Sequence, residues 1–185
     1  MKEKFSYEKT QFAGLCHIVR HPIIDERGLF ERLFCIDEVE PWEGRKIIQI
    51  NQTLTKACGT IRGLHFQFPP NAECKYVTCI RGAVFDVAVD LRQNSKTYGQ
   101  WFGCKLTSVA RNALIIPEGF AHGFQTLEND VSMLYFHSEP YKKELESGIH
   151  PLDKDLAITW PISTSFLSER DKRLELFAEF KGILL

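Results

Sequence analysis

The sequence predicts an all-β fold, a sandwich or barrel of short strands closed by a short C-terminal helix. Three observations carry that prediction. From about Leu15 to Trp160, short runs rich in Val, Ile, Phe and Tyr alternate with Gly, Pro and Asn, the texture of strands cut by turns. The turn signals recur roughly every eight to twelve residues, as in sandwiches and barrels. Helical periodicity is confined to the end of the chain. No internal repeat, low-complexity segment or Ser/Gly/Pro linker interrupts the 185 residues, a length that fits one domain of roughly 100–200 residues.

In chain order, the segment Ile36–Val39 reads as a single turn. Strands follow at Lys46–Asn51, around His65, at Lys75–Ile80 and over Ala83–Leu91. In the last of these, Phe85, Val87, Val89 and Leu91 share one face, and Val84, Asp86, Ala88 and Asp90 share the other. Two carboxylates on that second face point it toward water or toward a site. Arg81-Gly82 and Gln93-Asn94-Ser95 supply the flanking turns. Further strands are expected at Tyr98–Leu106, Ala113–Ile116 and Val131–His137. The barrel is expected over about 15–161. Ser168-Glu-Arg-Asp171 has the form of a capping box, and Leu174, Phe177, Phe180 and Leu184 follow at helical spacing, so a helix is expected over about 168–181.

Composition narrows the class of function. Lys plus Arg total 23 against 24 Asp plus Glu, a net charge of −1. A general nucleic-acid binder shows a basic excess or stripe instead. With 44% hydrophobic and 12% aromatic residues, the chain is no highly charged disordered tail. The N-terminal MKEKFSYEKTQF lacks the apolar run of a signal peptide. No stretch approaches the roughly 18 apolar residues of a membrane span. Cys16, Cys35, Cys58, Cys74, Cys79 and Cys104 contain no C-x-x-C pair and are expected as free thiols of a cytoplasmic protein.

Three blocks carry chemistry. Arg62-Gly-Leu-His65-Phe-Gln67 places a histidine on a strand, with Gln49 and Asn51 before it and Asn71-Ala-Glu-Cys-Lys75 after it. Taken alone, a strand histidine is an ordinary core or surface residue; the density of polar side chains around it argues for a site. Ile116-Pro-Glu-Gly-Phe-Ala-His122-Gly-Phe124 brackets a second histidine with Pro and Gly. That is either a tight corner or a backbone approach that sets His122 at a barrel mouth. Leu134-Tyr135-Phe-His-Ser-Glu-Pro-Tyr141 carries two tyrosines an even number of residues apart, on one face if the strand runs that far.

Together these blocks resemble the dTDP-4-dehydrorhamnose 3,5-epimerases and related nucleotide-sugar epimerases. The likeness runs from about Asp25 to Asp171 and includes Asp25-Glu-Arg27-Gly28, RGLHFQ at 62–67, NAECK at 71–75, RGAVFDVAVDLRQNS at 81–95, PEGFAHGFQTL at 117–127, LYFHSEPY at 134–141, ITWP at 158–161 and LSERD at 167–171. The resemblance implies a cupin-like jelly roll, usually a homodimer, that needs no metal or organic cofactor. It implies epimerisation at C3, C5 or both of a nucleoside-diphosphate 4-keto-6-deoxyhexose, with dTDP favoured as the nucleotide. By match to the motifs, His65 is the general base, Asp171 its partner carboxylate, Tyr135 the acid on the opposite face, and Lys75 the group beside the C4 oxygen. Arg27, Gln49, Asn51, Arg62, His122, Glu146 and Arg170 match positions that contact the nucleotide or sugar, and Tyr141 matches the aromatic that stacks on the base. No nucleic-acid or membrane partner is implied.

Elementary chemistry agrees with those roles. A carbon beside a ketone gives up a proton only if the enolate is stabilised, and an ammonium at the oxygen supplies that. A neutral imidazole is a competent base near pH 7. Asp171 also has a second reading, as the last residue of the capping box.

The chain departs from the family pattern at three places. Arg32 stands where Glu is usual and adds positive charge to the expected site. Gly148-Ile-His-Pro-Leu-Asp153 replaces Gly-Ile-x-Trp-Asn-Asp, and Phe136 replaces a frequent Lys. Two alternatives stand beside the epimerase: a metal-dependent cupin using His65, Glu73 and His122, and a non-catalytic sugar-binding jelly roll.

Overall fold

The computed structural model describes residues 3–185, and nearly all of its regular structure is strand. The strands are β1 (Phe5–Lys9), β2 (Cys16–Arg20), β3 (Ile23–Asp25), β4 (Gly28–Phe30), β5 (Gln49–Thr55), β6 (Thr60–Gln67), β7 (Lys75–Arg81), β8 (Ala83–Asp90), β9 (Trp101–Thr107), β10 (Asn112–Ile116), β11 (Phe120–Thr126), β12 (Val131–His137), β13 (Glu146–Gly148) and β14 (Phe166–Leu167). One six-stranded sheet runs β1-β2-β10-β7-β12-β5. A second runs β13-β6-β11-β8-β9, with β14 parallel to β6. The β3–β4 hairpin pairs with neither. Apart from β14 the pairing is antiparallel, so the expected all-β jelly roll of two facing sheets is what forms.

Alternation along the strands builds three apolar layers. Between the sheets lie Val77, Val84, Ala88, Leu106, Leu114, Phe120, Phe124 and Met133. Outside the first sheet, Ile18, Tyr76, Ile115 and Phe136 are covered by Phe34 and Trp42 from the segment before β5. Outside the second, Leu64, Phe66, Val87 and Val89 are covered by Ile149, Leu156, Trp160, Phe177, Phe180 and Ile183. Both faces of the expected Ala83–Leu91 strand are therefore buried. Its second face meets the sheet interior, with Asp86 fully buried there and Asp90 tied to Arg92, Ser95 and Thr97. All six cysteines are free thiols. Among the described residues no helix is long and apolar enough to cross a membrane.

Several boundaries move. The strand expected at Lys46–Asn51 begins at Gln49 and runs to Thr55, and the one expected from Tyr98 begins at Trp101. The turn at Ile36–Val39 is present, closed by Val39 N–H donating to Cys35 O, and a 3₁₀ turn follows at Glu40–Trp42. The C-terminal helix is the larger correction. The chain there makes two 3₁₀ turns, Asp171–Arg173 and Phe177–Glu179, with extended backbone at Leu174 and Leu176. Tertiary contacts override the helical spacing. Glu175 bridges to Ile149 as an isolated β-pair, Phe177 packs on Tyr98, and Phe180 packs on Phe66. A continuous helix presents one stripe, whereas these side chains reach different parts of the second sheet.

Candidate active site

A cavity of about 280 Å³ opens between the two sheets. That is just below the range of ligand pockets, roughly 300–1,000 Å³, and has room for a sugar ring rather than a whole nucleotide sugar. A groove of about 680 Å³ adjoins it and shares Arg62 and His65 with it.

The wall on the second sheet comes from β6 and β11. Simple alternation separates Arg62 from His65, because their spacing is odd. A register shift cancels it: His65 faces His122, but Arg62 faces Phe124, so Gly63 and Leu64 sit opposite the single residue Gly123. This bulge returns Arg62 to the cavity side with His65, while Leu64 points into the outer layer. Gly63 makes the bulge possible. Its φ is +120°, and a Cβ there meets Gly123 Cα at 2.6 Å and His122 O at 2.7 Å.

His65 Nε2 lies 2.8 Å from Asp171 Oδ1. Burial raises the Asp171 carboxyl, but hydrogen bonds and charge from His65, with help from Ser168 and the Gly63 backbone, outweigh it and hold the group below its usual value. An ionised carboxylate only accepts, so Nε2 carries the hydrogen and Nδ1 is the free basic nitrogen. Its backbone N–H donates to Ser168 Oγ at 3.0 Å, which is one contact of the expected capping box, although no helix follows it. His122 is not at the mouth. It is buried, with Nε2 2.9 Å from Asp86 Oδ2. Burial raises the Asp86 carboxyl even against the lowering effect of His122.

The opposite wall comes from the first sheet. Tyr135 and His137 share the inner face of β12, with Lys75 from β7 and Gln49, Asn51 and Thr53 from β5 around them. The Tyr135 hydroxyl is 3.2 Å from Thr53 Oγ1. Burial pushes the phenol above its ordinary value, so it stands protonated. Lys75 Nζ donates to Glu73 Oε1 at 3.0 Å and to His65 O at 3.3 Å, which leaves a third N–H for a ligand. Glu73 Oε2 takes His137 Nδ1 at 2.7 Å. Burial opposes ionisation of Glu73, but Lys75 and His137 overcome it and bring the group to about 2.

At the rim, the Tyr141 hydroxyl donates to Glu146 Oε2 at 2.7 Å, and Arg170 reaches Glu146 Oε1 at 2.7 Å. β12 ends at His137, so Tyr141 stands on a loop rather than on the strand face of Tyr135. Its side chain lines the same cavity by another route.

The cavity thus gathers His65, Tyr135, Lys75, Gln49, Asn51, Arg62, His122, Tyr141 and Glu146, with Asp171 behind His65 and Arg170 in the adjoining groove. It does not gather Arg27 or Arg32. Arg27 is on the tip of the β3–β4 hairpin, bonded to Asp25, and Arg32 pairs with Glu38. The other departures from the family pattern are also outside the cavity. Phe136 points outward onto Phe34 and Tyr76, and Pro151 and Leu152 are not among the lining residues. Asp153, the residue of that stretch that is retained, accepts the backbone N–H groups of Asp155, Leu156 and Phe177. His65, Glu73 and His122 each hold a different partner. Among the described residues no three His, Cys, Asp or Glu side chains are placed to hold a metal ion. Glu73, as a partner of Lys75, and His137 are site residues the motif reading passed over. Strand alternation from Tyr135 was the signal for the second.

The arrangement sets an imidazole and a phenol on facing walls of one cavity, with an ammonium in the same lining. Comparison with known proteins concerns the chain as a whole. The sequence profile of the family described as dTDP-4-dehydrorhamnose 3,5-epimerase matches residues 9–179. A Streptomyces niveus protein named dTDP-4-dehydrorhamnose 3-epimerase is 42% identical over 168 residues, covering 90% of this chain and 81% of its own. The crystal structure of NovW, a 4-keto-6-deoxy sugar epimerase from Streptomyces spheroides, superposes with a TM-score of 0.91 at 38% identity, covering 97% of this chain and 93% of NovW. The dTDP-6-deoxy-D-glucose-3,5-epimerase of Legionella pneumophila, solved in complex with dTDP-4-keto-L-rhamnose, gives 0.89 at 35% identity over 98% and 99% of the two chains. With matches across nearly its whole length, this chain belongs to the dTDP-4-dehydrorhamnose 3,5-epimerase family of nucleotide-sugar isomerases.

Proposed function

We propose that the protein epimerises dTDP-4-keto-6-deoxy-D-glucose, or a closely related dTDP-4-keto-deoxysugar, at a carbon beside the ketone. His65 Nδ1 takes the proton from one face of the sugar. The electron pair moves onto the C4 oxygen, where the free N–H of Lys75 stabilises the charge. Tyr135 delivers a proton from the other face, and the configuration inverts. Asp171 holds the imidazole in the right tautomer and supports the imidazolium once it forms, as in other carboxylate–histidine pairs. His122, with Asp86 behind it, completes the floor.

The cavity takes the sugar, so the nucleotide lies outside it. Arg62 and Arg170 are set for the diphosphate, and Tyr141 is exposed at the rim as a stacking surface for the base. The observation that carries the reading is the placement of His65 and Tyr135 on facing sheets across one sugar-sized space. A sugar-binding protein without catalysis has no use for an acid and a base so disposed.

The working unit is a homodimer in this reading. The β3–β4 hairpin exposes Ile24 and Phe30 at 71% and 65%, and β5, the edge of the first sheet, exposes Ile50 and Leu54. An apolar hairpin and an open strand edge complement each other. Docking between two copies carries Arg27 away from its own cavity and toward its neighbour's. The six free thiols fit a cytoplasmic setting.

The test is incubation with dTDP-4-keto-6-deoxy-D-glucose in D₂O, followed by NMR. The expected result is deuterium beside the ketone in the native protein and a loss of about 10²–10⁴-fold in its rate of entry for His65→Asn. Equal incorporation by native and variant protein refutes His65 as the base.

A further inference from the structure

Glu73 and His137 face the cavity, and the reaction just described assigns His137 no step. Glu73 lies just before β7, and its carboxylate spans Lys75 Nζ and His137 Nδ1. The side chains of Glu73 and His137 are 9% and 11% exposed, so water screens this pair little. The ionised carboxylate fixes the hydrogen on Nδ1 and leaves Nε2 among the cavity-lining groups, 3.5 Å from the Asn51 side-chain amide, whose oxygen end accepts from Nε2–H once the amide turns over. This is the construction of Asp171 with His65, built on the other sheet.

Its position relative to Tyr135 is specific. The two residues are one strand repeat apart on the inner face of β12, their rings tilted by only 25° with centroids 6.2 Å apart. The wall opposite His65 therefore carries two acid–base side chains in a row.

We infer that His137, held by Glu73, is a second proton donor on the Tyr135 wall, and that the two donors serve the two carbons flanking the ketone, so that both C3 and C5 are inverted. The inference rests on the epimerase reading above, with His65 as base. C3 and C5 lie on either side of C4, whose oxygen Lys75 holds. A proton must approach each along its own line, and a misplaced donor forfeits much of the rate.

At either carbon the first half is the same. The C–H bond breaks, the proton goes to His65 Nδ1, and the electron pair moves to the C4 oxygen. At one carbon Tyr135 then gives its hydroxyl proton. At the other, protonated His137 gives the proton on Nε2. The N–H bond breaks as the new C–H forms on the opposite face, and the enolate pair returns to carbon. His137 ends neutral and Tyr135 ends as a phenolate; each regains a proton from solvent, to which His65 loses the one it took. Nothing is oxidised or reduced.

The experiment compares native protein, His137→Asn, His137→Gln, Tyr135→Phe and His65→Asn with dTDP-4-keto-6-deoxy-D-glucose in D₂O. NMR reads deuterium content and configuration separately at C3 and C5. For both His137 variants, one carbon is expected to keep exchanging through His65 while its inversion falls about 10²-fold or more. The other carbon stays within a few-fold of native. Tyr135→Phe gives the complementary pattern. Exchange without inversion at a single carbon is a signature that a merely structural defect does not produce. Native inversion at both carbons in the His137 variants, parallel loss at both, or a native protein that inverts one carbon alone overturns the inference. His65→Asn tests the base independently: undiminished exchange there refutes the underlying reading, whatever the His137 variants do.

Discussion

Glu73 is where the electrostatics of single residues become a measurable property of the whole chain. It is buried, which on its own favours the neutral acid, yet Lys75 and His137 bring it from 4.5 to about 2. A carboxyl depressed on folding stabilises the native state above its unfolded value and loses that contribution as pH falls through the folded one. Here the window runs from about 4.5 down to about 2. Glu73→Gln is expected to cost a few kcal/mol at pH 7, where Lys75 and His137 lose their shared anion. The gap to native protein should narrow steadily in urea titrations taken from pH 4.5 toward pH 2. A gap independent of pH refutes the ionised assignment. The residue scale also shows what the sequence could tell. His65, Lys75 and Tyr135 were legible because motif and alternation agree on their faces. His137 was passed over although alternation from Tyr135 places it in the cavity, because its neighbours in the motif drew the attention to Phe136, which packs outward. Arg27 and Arg32 lie outside the cavity of their own copy for a different reason: motif spacing is blind to which side of a barrel, or which copy of it, a hairpin reaches.

At the scale of elements, the β6 bulge decides whether Arg62 and His65 work together. Alternation alone sends them to opposite faces, and nothing local in Arg62-Gly-Leu-His65 announces the extra residue except the glycine. Gly63→Ala puts a Cβ within 2.6 Å of Gly123 Cα at a φ of +120°, a region that alanine enters only under strain. The expected outcome is a stability loss of about 2 kcal/mol or more in denaturant unfolding. In whatever fraction folds, the diphosphate contact proposed for Arg62 is disturbed, so KM is expected to rise more than kcat falls. A variant as stable as native, with native kinetics, refutes the dependence on glycine. The C-terminal segment teaches the converse. Its capping box is half real, with Ser168 receiving the Asp171 N–H, and its apolar spacing is helical. Local propensity is a weak prior against tertiary demand. The Asp171 carboxylate is taken by His65, and Phe177 and Phe180 are drawn to separate sites on the sheet, so the segment backs His65 and covers the outer face of the second sheet as two short turns.

At the scale of the molecule, one copy of the chain leaves its anion-binding equipment divided. Arg62 and Arg170 stand at the cavity, while Arg27 sits on an exposed apolar hairpin that pairs with neither sheet. A net charge of −1 does not oppose an anionic substrate, because what matters is where the cations are focused. If the hairpin lies on a second copy, each cavity is completed by the partner subunit's Arg27. The base His65 and that arginine then belong to different chains, and this separation is testable without any structure of the dimer. Arg27→Ala alone is expected to lower kcat/KM tenfold or more, and His65→Asn alone to abolish turnover. Mixed after partial denaturation and refolding, the two impaired proteins form hybrids. In such a hybrid the cavity with an intact His65 receives the intact Arg27 of the His65→Asn chain, and that one site regains activity. Random pairing makes half of all dimers hybrids with one working site each, so activity should approach a quarter of native per chain. Activity no greater than the sum of the separate variants, or a 21.3 kDa monomer that is fully active by light scattering and assay, refutes the shared site.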